Sequence, residues 1–88
     1  MARYKPMAKY KVENGAGIIP DGVTGIGYWA FRDCTALTSI TIPPSVTKIG
    51  KLAFLACFSL TSVKVSTRTQ ICDCAFMGCR KVRIEYYD

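Results

Sequence analysis

The sequence predicts an α/β-type repeat solenoid, mostly β, with a parallel sheet, helical turns and about three coils. Three observations carry this expectation. Ile19 to Thr41 reads IPDGVTGIGYWAFRDCTALTSIT and Ile42 to Lys64 reads IPPSVTKIGKLAFLACFSLTSVK, identical at 12 of 23 positions. The shared positions are mostly apolar or turn-forming and the changing ones mostly polar, as a core and a surface require. A degraded third copy follows, with Ile71, Ala75-Phe76, Cys79, Val82 and Ile84 in recognisable order. On this basis residues 1–18 are expected as an N-terminal capping segment, 19–64 as two regular repeats, and 65–88 as a degenerate third repeat and C-terminal cap.

Before the repeat, Tyr10-Lys11-Val12 alternates as a short strand does, and Asn14-Gly15 signals a turn. Arg3, Lys5, Lys9 and Lys11 face a single acid, Glu13. This segment is expected to cover the first coil with its lysines in solvent, or to act as a basic arm.

Within a coil, Leu37, Ile40 and Ile42 follow an L-x-x-I-x-I spacing whose last two members alternate as in a strand, leaving Thr38, Ser39 and Thr41 outward. Leu60, Val63 and Val65 repeat the inward set, and Thr61, Ser62 and Lys64 the outward one. Successive coils travel the same way, so these strands pair in parallel. Pro20 and Pro43 lack a ladder donor and end them. A second short extended piece, Val-Thr-x-Ile, runs to Gly27 and to Gly50. The following x-x-Ala-Phe-x-x-Cys is too short for a free helix and reads as a helical turn held by packing.

The run I-P-x-x-V-T-x-I-G-x-x-A-F-x-x-C-x-x-L-T-S-I resembles the BspA-type leucine-rich repeat, closely from Ile19 to Val65 and in degraded form from Ile71 to Ile84. That resemblance implies a binding scaffold whose partner is set by the variable outward residues; a short, free-standing member is expected, which departs from the long, secreted members of the family.

Those residues differ between coils. Tyr28 and Trp29 stand where the second coil has Lys51 and Leu52; Trp29 is expected over Leu52 on the flank, with Tyr28 looking out. Leu55 and Phe58 replace Arg32 and Thr35, so Tyr28, Leu55 and Phe58 form a candidate apolar edge. In the third coil Ser-Thr-Arg-Thr-Gln replaces Pro-Pro-Ser-Val-Thr, and Ile71 matches Ile49 only after one residue is removed. The tail, Glu85-Tyr86-Tyr87-Asp88, is expected to cover the last coil or to pair with a second subunit, giving a homodimer through a solenoid end.

Lysine and arginine total 12 against 6 acids, a formal charge of +6. Arg3, Lys5, Lys9 and Lys11 form one basic end and Arg80, Lys81 and Arg83 the other, with a Thr/Ser-rich strand face between them that carries Lys64 and also takes in Arg83 as a partner-binding surface. Such a surface attracts an acidic protein. Nucleic acid is the alternative partner, although no base-reading motif is present.

Cys34, Cys57 and Cys79 each lie three residues after an Ala-Phe pair and are expected as a column of small, buried, reduced thiols. Cys72, Cys74 and Cys79 make a C-x-C-x4-C set of candidate ligands, but there is no histidine and no fourth ligand, so neither metal nor cofactor is expected. The lack of histidine also removes the usual nucleophile–base pairs, and no enzyme activity is expected. No apolar run spans a membrane and no apolar stretch follows the N-terminal charges, so a cytoplasmic protein is expected. The combined expectation is a non-catalytic protein–protein interaction module. Small size suits a phage or mobile-element inhibitor of a bacterial enzyme such as a defence nuclease, and a fragment of a surface adhesin array is the structural alternative.

Overall fold

The computed structural model describes residues 10–88. Eight short strands run in chain order: β1 (Lys11–Glu13), β2 (Ala16–Ile18), β3 (Gly25–Ile26), β4 (Ser39–Thr41), β5 (Lys48–Ile49), β6 (Ser62–Ser66), β7 (Gln70–Ile71) and β8 (Arg83–Tyr87). They form two sheets, one of order β1-β2-β4-β6-β8 and one of order β3-β5-β7. Among the described residues only the β1–β2 hairpin is antiparallel, and every other pair is parallel. The strands are thus two walls of a wound chain that returns to each wall once per coil. Arg3, Lys5 and Lys9 lie outside the described residues.

The hairpin follows from Asn14-Gly15. Both residues have positive φ, 50° and 83°, as a two-residue hairpin turn demands. Val12 thereby lands opposite Gly17, and the space where a Gly17 side chain would stand is filled by Leu37 and Ile40.

The L-x-x-I-x-I spacing places Leu37, Ile40 and Ile42 in the core, then Leu60, Val63 and Val65 above them. Sheet register repeats at 23 residues between Ile40 and Val63. It tightens to 22 between Ile49 and Ile71 and to 21 between Val63 and Ile84. The one-residue removal read from Ile71 is therefore real, and a second follows before β8. Strand lengths obey the prolines. β4 stops at Thr41, ahead of Pro43, whereas Val65-Ser66 lets β6 run two residues further and pair with β8 along five positions.

The helical turns are not borne out: there is no helix among the described residues. In the x-x-Ala-Phe-x-x-Cys piece, Trp29, Asp33, Leu52 and Ala56 have φ near +60°, which a right-handed helix excludes. The physical reason lies in where the amides go. Phe31 N–H donates to Ala53 O at 2.7 Å and Asp33 N–H to Leu55 O at 2.8 Å, and Phe54 and Ala56 donate likewise to Ala75 and Met77. Alternate amides bond to the neighbouring coil, so a third inter-coil ladder takes the place of i→i−4 bonds.

Side chains continue these ladders. Tyr10, Phe31, Phe54 and Phe76 stack in one column, with ring centroids 5.6, 5.0 and 4.9 Å apart. Hydroxyls bridge coils as well, Ser45 Oγ donating to Val23 O at 2.8 Å and buried Thr69 Oγ1 to Val46 O at 2.8 Å.

Candidate functional site

The five-stranded sheet presents two outward rows. Ser39, Ser62 and Arg83 are register partners in one, and Thr41, Lys64 and Glu85 in the other. Thr41, Lys64 and Arg83 are exposed, while Ser39 and Ser62 are half-buried. Thr38 and Thr61 stand just before the strands, and their hydroxyls donate to Gly15 O at 3.1 Å and Thr38 O at 3.3 Å. These two exposed threonines therefore hold coils together through their hydroxyl protons.

The edge set divides into two groups. Tyr28, 57% exposed, stacks on Trp29 at 4.5 Å, and the Arg32 guanidinium covers the Trp29 ring at 4.6 Å. Trp29 is itself 41% exposed and sits between Tyr28 and Arg32. Phe58, 60% exposed, lines a different depression with Arg80 and Lys81, about 440 Å³ in volume. Lys81 also lines the adjoining groove, together with Thr61, Ser62, Arg83 and Glu85. Leu55 is half-buried. One corner thus joins an aromatic ring, three cations and the end of the strand face.

At the opposite end Lys11 pairs with Glu13 at 3.2 Å, both exposed, which offsets its charge. The third coil leaves an apolar depression of about 460 Å³ at the C-terminal end, lined by Ile71, Cys72, Cys74, Phe76, Met77 and Ile84 among others. Met77, 51% exposed, belongs to this end and was not singled out from the sequence. Met77 has a sequence signal, since it takes the Arg32/Leu55 place in its coil.

All five cysteines are free thiols. The column expected from their spacing forms, with Cys57 buried and Cys34 and Cys79 half-buried. Cys57 Sγ donates to Phe31 O at 2.9 Å and Cys79 Sγ to Phe54 O at 3.1 Å. The hydrogen bond with the Cys79 sulfur, then burial, pushes the Cys57 thiol well above its ordinary range. Burial also pushes Cys34 up. The shared bond draws Cys79 down. Among the described residues no three His, Cys, Asp or Glu side chains gather as a metal site. No helix among them is long and apolar enough to cross a membrane.

The family model described as BspA type leucine rich repeat region (6 copies) matches residues 10–85. Comparison with curated proteins and with solved structures returns no significant match.

Proposed function

Because the chain belongs to the BspA-type leucine-rich repeat family, we propose that it is a non-catalytic protein-interaction module. It grips an acidic protein at the corner where Phe58 meets Arg80 and Lys81. The observation that carries this reading is the exposed Phe58 ring flanked by two cations in one depression. An apolar anchor ringed by charge is how interfaces concentrate affinity while steering the partner in. Ser62, Lys64 and Arg83 extend the contact across the strand face, and Ser39 and Thr41 continue it toward the first coil. Tyr28, stacked on Trp29 and covered by Arg32, forms a separate aromatic patch on the flank, and half-buried Leu55 a minor contact beside it.

Residues 1–18 and 65–88 serve as the two caps in this reading. The free thiols suit a reducing compartment such as the cytoplasm. A rigid scaffold this small fits an inhibitor that occupies the surface of a larger bacterial enzyme. Self-association through the C-terminal end belongs to the same reading, because no strand among the described residues pairs with the outer edge of β8.

The test is affinity capture from host lysate at physiological salt, with and without nuclease, using the unaltered chain beside Phe58→Ser and Arg80→Glu/Lys81→Glu variants. The expected result is one protein that survives nuclease and is lost with both variants while their folding is intact. Loss of all captured material on nuclease treatment, or capture unchanged by the variants, overturns the reading.

A further inference from the structure

The geometry points to a second copy of this chain as the occupant of the β8 edge, paired antiparallel about a dyad through Ile84 so that Arg83 of each copy faces Glu85 of the other. This rests on the self-association reading above and fixes its register.

The backbone comes first. Arg83 N–H donates to Thr61 O at 2.9 Å, and Tyr87 O accepts from Thr67 N–H at 2.9 Å. Residues 83, 85 and 87 therefore turn their amides and carbonyls toward β6, and alternation turns those of Ile84 and Tyr86 to the outer edge. No strand among the described residues meets that edge. An antiparallel partner can form reciprocal hydrogen bonds only through residues whose groups point outward. Dyads centred on Ile84, on Glu85 or on Tyr86 all meet that condition.

Charge selects among them. Centred on Glu85, the strand opposes Glu85 with its own copy. Centred on Tyr86, it sets Glu85 against Tyr87 and leaves Arg83 without an opposite charge. Centred on Ile84, it sets Arg83 against Glu85 twice and Val82 against Tyr86 twice. Like charges directly opposite are disfavoured, and opposite charges and aromatic–β-branched pairs are favoured. Neither Arg83 nor Glu85 has an ion-pair partner within the described chain, where the ion pairs are Lys11–Glu13 and Arg32–Asp33. Glu85 already has Lys64 as its register neighbour, so in the pair it lies between two cations.

The apolar surface agrees. Tyr86 is the register partner of fully buried Val65, yet it is 58% exposed, with no strand among the described residues beyond β8. Phe76 and Ile84, both half-buried, line the depression beside it. Across the dyad the two apolar ends face each other. The other sheet edge, β1, carries Lys11 and Glu13 paired with one another, the charged protection that an edge kept solitary shows. A closed two-fold pair is therefore favoured over an open chain of molecules.

Sedimentation of the 88-residue chain tests this, with Arg83→Glu, Glu85→Arg, their equimolar mixture and the double Arg83→Glu/Glu85→Arg variant. Circular dichroism confirms that each folds. The chain should sediment as a dimer, and each single variant should need about tenfold higher concentration to associate. The mixture and the double variant should recover the dimer, because both restore two opposite-charge contacts. A folded chain that stays monomeric overturns self-association and its register together. A dimer that the single variants leave unchanged, or that the double variant fails to recover, overturns the register alone.

Discussion

Gly15 shows how much can rest on one residue. It has φ +83°, and a side chain there would come within 2.5 Å of Thr38 Oγ1, the hydroxyl that donates to Gly15 O. Gly15→Ala should therefore cost about 1–2 kcal/mol from the left-handed backbone alone, read as a lower urea midpoint. Thr69 makes the same kind of argument through its hydrogen bond. Its buried hydroxyl donates to Val46 O at 2.8 Å, so Thr69→Val should cost about 1–2 kcal/mol, whereas a purely eroded position would tolerate it. The turn at Asn14-Gly15 was legible in the sequence because only a few residues accept such φ values. The bond from Thr69 was not, because Ser-Thr-Arg-Thr-Gln lacks the pattern of the coils before it.

At the scale of elements, the aromatic column and the thiol column have separate signatures. Phe54 lies between Phe31 and Phe76 with no exposed surface, and Phe54→Ala should cost about 3–5 kcal/mol, much of the stability of so small a domain. Cys57 and Cys34 hold their protons more tightly folded than unfolded. Above the ordinary thiol value of 9.0 the unfolded chain loses protons that the folded one keeps. Their contribution to stability is thus full below that pH and falls as pH rises past it, while Cys79, drawn down, contributes in the opposite sense. Between pH 7 and pH 10 the melting temperature of Cys34→Ala should therefore fall less than that of the unaltered chain. Inward positions such as Leu37, Ile40 and Ile42 were plain from spacing, since alternation in a strand leaves few choices. The turn after Gly27 was misread as helical because seven residues are too few to separate a 3.6-residue period from a bend. What decides the matter is Phe31 and Asp33 donating to the next coil, a contact between residues more than twenty positions apart.

For the whole molecule, the candidate surface depends on how coils fall into register. Phe58 meets Arg80 because the third coil is one residue shorter at that point, a shift visible at Ile71. The grouping of Tyr28 with Trp29 and Arg32 had no such signal, since nothing in the spacing of the repeat brings these three outward positions together. The central claim is that inward residues hold the stack while outward residues are free to recognise a partner. Its most direct test sets Phe54→Ala beside Phe58→Ala, with urea unfolding and partner capture measured on both. Phe54→Ala should lose the cooperative unfolding transition. Phe58→Ala should unfold within about 0.5 kcal/mol of the parent and capture little or no partner. A stable Phe54→Ala chain, or a Phe58→Ala chain that unfolds, would contradict the division between core and surface on which the account stands.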